Sequence, residues 1–245
     1  MSYLKKLSFA ILTSLFMFTV CDDGGGNGNP DVGGDCTPGV DCPDGGKDPA
    51  PVTPPNGGGY VSKGNDINNY RTIVIGTQRW MSENLDYDVP DVTTDVCCGN
   101  IVDNCAKYGR LYDWSTAMDG ASSSLDNPSG VRGICPVGWH LPSDDEWTEL
   151  VDYVGGSATA GTKLKSTSGW SNNGNGTDEY GFSALPGGRN TGSGCTYESV
   201  GGYWWSATIN WGGQAWYRGM SSNEERVTRY ELGGGHLLSV RCVQD

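Results

Sequence analysis

Nine cysteines stand in this 245-residue chain behind a leader suited to export, so its fold has to be one held by covalent cross-links. The leader is short. Lys5 and Lys6 give it a positive start, and Leu7 to Val20 then run for 14 residues almost without a polar break. Spanning a bilayer takes roughly 20 apolar residues. Residues 1–20 therefore read as a signal peptide, and no later stretch is apolar enough to cross a membrane. Beyond the cytoplasm the environment is oxidising, and cysteines delivered there pair.

Cys21 follows the apolar run directly, which resembles a bacterial lipoprotein signal. The usual box has a small residue before the cysteine, and this chain has Val20 there. Parity supports lipidation at Cys21, since removing it from nine cysteines leaves an even set. The formal net charge of −13 excludes nucleic acid and anionic lipid surfaces as partners, because both reward positive surface. Contact with a membrane is expected only through the lipid anchor. The expected location is the outer membrane or cell surface.

Composition divides the exported chain in two. Residues 22–60 hold 12 Gly and 7 Pro but no Leu, Ile, Phe or Trp. Such a segment cannot bury enough apolar area to offset the entropy of ordering. Residues 21–60 are thus expected to be the lipidation site and a disordered tether, with ends roughly 35 Å apart as a coil. Cys36 and Cys42 lie close enough within it to close a small local loop. Residues 61–245 carry all nine tryptophans, enough for one sizeable core.

Within that domain a strand is expected from Tyr70 to Ile75, a turn at Gly76-Thr77, and a second strand through Arg79-Trp80-Met81. One helix is sharply marked. Ser143 and Glu146 form a capping box, Trp147, Leu150, Val151 and Val154 follow as one apolar stripe, and Gly155-Gly156 ends the run. A shorter helix is expected over Ser115 to Met118. After Gly156 the text reads as short strands and loops, closing on a strand where Leu238, Val240 and Cys242 alternate with Ser239 and Arg241. The class is α+β, with few short helices, small antiparallel sheets and long loops.

Six ordered motifs then carry a resemblance. They are Thr72-Ile-Val-Ile-Gly-Thr-Gln-Arg-Trp-Met-Ser-Glu-Asn-Leu85, Lys107-Tyr-Gly-Arg-Leu-Tyr-Asp-Trp114, and Cys135-Pro-Val-Gly-Trp-His-Leu-Pro-Ser-Asp-Asp-Glu-Trp147. Tyr180-Gly-Phe-Ser-Ala-Leu-Pro-Gly-Gly188, Tyr203-Trp-Trp-Ser-Ala-Thr208 and Ser239-Val-Arg-Cys-Val243 complete the set. With these the chain resembles the Fibrobacter succinogenes major paralogous domain, a family of secreted bacterial domains. More loosely it is similar to the C-type-lectin-like fold of formylglycine-generating enzymes and bacterial variable surface proteins. That likeness implies a pairing of Cys135 with Cys242, because in the lectin-like fold the segment before the capped helix meets the last strand. Cys105 is expected to pair with Cys97 or Cys98, and Cys195 with the neighbour left over. Trp80, Trp139 and Trp147 are expected in the core, and Gly181, Gly187 and Gly188 at backbone turns.

The inventory for catalysis is thin. His140 and His236 are the only histidines, no nucleophile-elbow sequence accompanies either, and a histidine-rich metal site is excluded by count. His140 reads as buried and hydrogen-bonded. No cysteines match the active-site pair of the formylglycine-generating enzymes. A carboxylate pair acting on carbohydrate stays open as an alternative, as does a purely structural envelope role. Calcium is the one cofactor with candidate donors, at Asn173, Asn175 and Asp178 in a glycine-rich loop, although ordinary turns use the same residues.

Binding chemistry concentrates in residues 203–231, where Tyr203, Trp204, Trp205, Trp211, Trp216, Tyr217 and Tyr230 mix with amides and arginines. The lectin-like resemblance also implies that this late region presents the ligand face. About half of these aromatics should point inward by strand periodicity, Trp205 among them. Asn210, Trp211, Trp216, Arg218, Asn223 and Arg229 are the expected ligand residues, for an extracellular glycan or protein. The expected function is recognition or adhesion without catalysis.

The domain boundary is directly testable. Limited proteolysis of the mature protein should trim it to a stable core beginning near residue 60. A core that loses its thermal unfolding transition once the Gly/Pro/Asp segment is removed would contradict the tether.

Overall fold

A computed structural model describes residues 59–63, 66–233 and 235–245. The signal peptide, Cys21, the tether up to residue 58 and the Cys36–Cys42 pair lie outside the described residues. The first elements are β1 (Gly59–Lys63), β2 (Asp66–Ile75), β3 (Gln78–Met81), β4 (Asp95–Val96), α1 (Val102–Tyr108), β5 (Leu111–Tyr112) and α2 (Trp114–Met118). The middle of the chain supplies β6 (Trp139–His140), α3 (Asp144–Tyr153) and α4 (Ser157–Leu164). Then come β7 (Gly187–Asn190), β8 (Cys195–Glu198), β9 (Gly201–Ile209), β10 (Ala215–Ser221), β11 (Thr228–Leu232), β12 (Leu238–Ser239) and β13 (Val243–Gln244).

These form two sheets. One has the order β1-β2-β3-β13-β6; the other runs β11-β10-β9-β12-β5-β4, with β7 beside β9 and β8 beside β7. Pairing is antiparallel except where β12 and β7 each meet β9. The class is α+β, as the sequence implies. Helix α3 packs its whole predicted stripe inward, with Trp147, Leu150, Val151 and Val154 all buried. Its Trp147 ring meets Trp80 at 4.6 Å and Phe182 at 6.0 Å, so α3 is fixed to both the β3 strand and the later loops. Burying each such side chain contributes about 1.5–3 kcal/mol.

A polar hub sits inside this packing. Asn84 Oδ1 accepts from Trp204 Nε1 (2.8 Å), Arg241 Nε (3.0 Å) and Arg241 Nη2 (2.7 Å). Asn84 Nδ2 donates to the Tyr108 carbonyl (2.8 Å) and to Ser239 Oγ (3.3 Å). Arg241 is fully buried, donates from Nη1 to the Phe182 carbonyl, and lies over the Phe182 ring at 4.3 Å. Burial pushes its pKa down to about 9, still above neutrality, so the guanidinium stays charged.

The closing segment differs from the single two-faced strand that its alternation suggests. It is split into β12 in one sheet and β13 in the other, and residues 238–243 are buried on both sides. The chain crosses between sheets here, so Leu238, Val240 and Cys242 enter one apolar cluster while Ser239 and Arg241 face Asn84. Two helices also go unmarked in the sequence. Helix α1 has no side-chain N-cap, and α4 has Gly156 at its N-cap position, with no side chain to cap it, and carries Gly161 inside. A side chain at Gly161 would fall 2.6 Å from the Glu225 and Arg226 carbonyls, so close approach there requires glycine. Helix α2 begins one residue earlier than expected, at Trp114, because Asp113 caps it through the Thr116 N–H (2.7 Å).

Among the described residues, three disulfides join Cys97 to Cys105, Cys98 to Cys195 and Cys135 to Cys242. The adjacent cysteines divide because Cys98 turns into a small apolar cluster with Leu111, Leu237 and Cys195, leaving Cys97 for the following helix. Such cross-links mark an exported protein. No helix among the described residues is long and apolar enough to cross a membrane. The Cys135–Cys242 bond closes a loop of 107 residues, for which the chain-entropy model gives about 4–5 kcal/mol.

His140 fastens the chain end to the start of α3. The capping box forms as expected, with Ser143 Oγ accepting from Glu146 N and Glu146 accepting from Ser143 N. His140 Nε2 lies 2.7 Å from Glu146 Oε1 and its Nδ1 lies 2.8 Å from Asp245 Oδ1. Burial works against a charged imidazole here, but the bonds and charges of Glu146 and Asp245 prevail and raise its pKa.

Two outcomes follow for stability. Asn84→Leu removes two of the hydrogen bonds that hold the buried Arg241 charge, leaving it the Phe182 carbonyl. A bond to a charged group contributes about 1.5–3 kcal/mol, so the change should cost about 3–5 kcal/mol in urea unfolding. The double variant Asn84→Leu/Arg241→Met should lose less than the sum of its parts, since the two residues share one network. The His140 contribution is fully present below the unfolded pKa of about 6.5 and is lost as pH rises through the raised folded value. Urea unfolding across that window should therefore show stability falling with pH, and His140→Asn should remove that component of the slope.

Candidate functional site

The six expected ligand residues do not form one face. Asn210 Oδ1 accepts from Gly212 N (2.8 Å) and Gln214 N (3.0 Å), so it builds the β9–β10 turn. Trp211 stands on that turn fully in solvent. Asn223 is exposed just beyond the other end of β10, and seven residues at about 3.3 Å each put it more than ~20 Å from the Trp211 turn. The expectation of a shared site for these two is overturned by strand length.

Arg218 is a second correction. It is 3% exposed, pairs with the Asp144 carboxylate, and donates from Nη2 to the Asp144 carbonyl (2.8 Å) and Thr148 Oγ1 (2.8 Å). Burial lowers its pKa, opposed by Asp144. It therefore clamps the first turn of α3 to the sheet, buried beneath the surface. Arg229 lies opposite it in the β10–β11 register and reaches the same carboxylate from Nε (2.8 Å), with its guanidinium 3.5 Å above the Trp216 ring. Trp216 is thereby half-covered from within the protein.

Two of the three candidate calcium donors are likewise engaged by the loop itself. Asn175 Oδ1 accepts from Trp170 N (3.0 Å), and the Asp178 carboxylate accepts from Ser183 N (2.7 Å) and Ser183 Oγ (2.6 Å). Asn173 is exposed and takes a left-handed backbone, at φ +58°. These residues serve as turn-formers, the role in which Asn and Asp side chains substitute for backbone partners.

The structure assembles a different feature on the opposite face of the same sheet. Directly paired residues share a face, so Arg218 aligns with Trp204 and Arg229 toward α3. Tyr217 aligns with Trp205 and Tyr230 on the other side, and Tyr203 lies opposite Gly219 on that side too. The β7–β8 hairpin, attached to β9, extends the row. Ring centroids are 6.2 Å apart from Tyr197 to Tyr203, 6.1 Å from Tyr203 to Tyr217, and 6.2 Å from Tyr217 to Tyr230. The end rings are open, with Tyr197 49% and Tyr230 54% exposed, while Tyr217 is buried.

Arg189 on β7 lies among these rings. Its guanidinium carbon is 5.1 Å from the Tyr197 centroid and 5.1 Å from that of Tyr203. Burial raises the pKa of Tyr203 and of Tyr217, with Arg189 acting against it, so both phenols remain protonated donors at neutral pH. Tyr197 holds a left-handed backbone at φ +64°, a sterically costly state for an aromatic residue. Such outliers concentrate where function dictates geometry.

Sequence reasoning named Tyr203, Tyr217 and Tyr230 within the aromatic stretch but missed Arg189 and Tyr197 altogether. Those two come from a separate hairpin, and only the attachment of β7 to β9 brings them alongside. A weak signal existed in the alternation of Tyr203 with Trp205, which puts both on one side of a strand.

The family model described as Fibrobacter succinogenes major domain matches residues 73–244 of the chain. No curated protein matches it, and no solved structure does.

Proposed function

The chain belongs to the Fibrobacter succinogenes major domain family, and we propose that it is an exported, lipid-anchored recognition module that binds an extracellular glycan without catalysis. The observation that carries this reading is the row of Tyr197, Tyr203, Tyr217 and Tyr230 with Arg189 set among them. Aromatic rings offer apolar faces to the C–H surface of a sugar, and phenol and guanidinium groups beside them bond its hydroxyls. Trp211 adds a solvent-exposed aromatic at the tip of the β9–β10 hairpin. The histidine best placed for chemistry, His140, is 2% exposed and held between two carboxylates.

The lectin-like architecture belongs to the same proposal. It is supported by the Cys135–Cys242 bond, which joins the segment before α3 to the chain end as that resemblance implies. A tether of some forty residues behind a lipidated Cys21 would lift the face clear of the membrane and let many copies act together, so weak single contacts suffice.

The test uses the mature chain with Cys21→Ser, kept oxidised, on a glycan array and then in titrations against the retained polysaccharide. Tyr197→Ala and Tyr230→Ala should each weaken binding about 30-fold, the equivalent of about 2 kcal/mol at a hot spot. Both side chains are half-exposed, so the unfolding midpoint should stay near that of the parent. Retention of no glycan, or unchanged binding by both variants, would remove the glycan reading and leave a protein partner or a structural role.

A further inference from the structure

We propose that Arg189 makes the tyrosine row specific for acidic sugars, with a uronic-acid carboxylate docking on its guanidinium and the sugar ring lying against Tyr197 and Tyr203. The inference rests on the glycan reading above and names its ligand class.

The starting point is how arginines are balanced in this protein. The chain carries 29 acidic against 16 basic residues, so carboxylates are plentiful. Arg71 pairs with Glu83, Arg110 with Asp88, Arg226 with Glu224, and Arg218 and Arg229 with Asp144. Arg189 forms no ion pair among the described residues. Its guanidinium lies over two ring faces, those of Tyr197 and Tyr203. Its Nε is buried and has no hydrogen-bond acceptor. Buried donors without partners are rare in folded proteins, and each one calls for an explanation.

A carboxylate supplies the missing acceptor. The guanidinium presents parallel N–H donors in a planar fork that matches the two oxygens of a carboxylate, and stacking on aromatic faces leaves those in-plane donors available. Tyr197, which covers one side of Arg189, is itself half in solvent, so its ring can shift to admit the ligand. The tyrosines add sugar-ring contact on either side of the charge.

The net charge of −13 shapes the selectivity. Long-range repulsion opposes a densely charged polymer, whereas a sparsely charged one feels mainly the local guanidinium, because screening sets in within about 10 Å at 0.1 M salt. The favoured ligand is thus a polysaccharide with occasional uronate units, and heavily sulfated chains are disfavoured.

The experiment compares one polymer in two forms: glucuronoxylan, and the same material with its carboxyl groups chemically reduced to neutral sugar. The mature Cys21→Ser protein should bind the acidic form at least about tenfold more tightly. Arg189→Gln should erase that preference while keeping residual binding to the neutral form, and Arg189→Lys, which lacks the planar fork, should retain only part of it. Where Arg189→Gln fails to fold, the Arg189→Lys comparison decides. Equal binding of the two forms by the parent protein overturns the acidic-sugar assignment and leaves the glycan reading standing. Tighter binding of a sulfated glycan than of glucuronoxylan overturns the carboxylate assignment. Binding of none of these, together with an empty glycan array, removes both proposals.

Discussion

One buried arginine and the amide that receives it organise this domain. Arg241 lies where the chain passes from one sheet to the other, fully out of water, and Asn84 accepts two of its hydrogen bonds. Removing a charge from solvent is costly, and only a geometry that engages its donors holds it there. The same Asn84 binds Trp204 of β9, Ser239 of β12 and the backbone that ends α1. A single side chain thus sets the relative position of the early loop, the central strand and the chain end. Phe182 completes the arrangement by offering both its carbonyl and its ring to Arg241.

From that hub the central sheet acquires two unlike faces. On one, Trp204 and Met220 enter the apolar core with Trp147, and Arg218 and Arg229 converge on Asp144 at the start of α3. Arg218 is buried there and Arg229 half exposed, and the Asp144 carboxylate they share stands in the first turn of α3, where negative charge suits the helix N-terminus. On the other face Trp205 and Tyr217 join the second core, and the row of tyrosines continues outward from them to solvent. The aromatic surface is therefore the visible edge of a packed core. Its inner rings, Tyr203 and Tyr217, are packed against that core, which limits the entropy they lose on binding.

The disulfides suit an exported domain of this kind. Long loops carrying many glycines connect its short strands and helices, and cross-links limit the disorder available to the unfolded chain. Cys98–Cys195 ties the 3₁₀ turn before α1 to β8, the strand that carries Tyr197 into the row. The hairpin bearing Arg189 and Tyr197 is thus fixed at both ends, by β9 pairing and by a covalent bond.

Local signals in the sequence determined the family, the α+β class, the capped helix α3 and the first hairpin, because each is written within a dozen or so neighbouring residues. The capping box needs only Ser143 and Glu146, and the apolar stripe needs only one helical period. What lay beyond reach was every feature made by residues distant in the chain. Arg218 reads as a surface cation until strand register places it against Asp144, 74 residues away. The final segment reads as one amphipathic strand until the two sheets close on it from both sides. Arg189 and Tyr197 join Tyr203, Tyr217 and Tyr230 only through the pairing of β7, β9, β10 and β11. Periodicity says which side of a strand a residue occupies, but not what lies across from it. Register and sheet order are set by the packing of the whole domain, so the tertiary structure alone decided which tyrosines meet and which arginine stands among them.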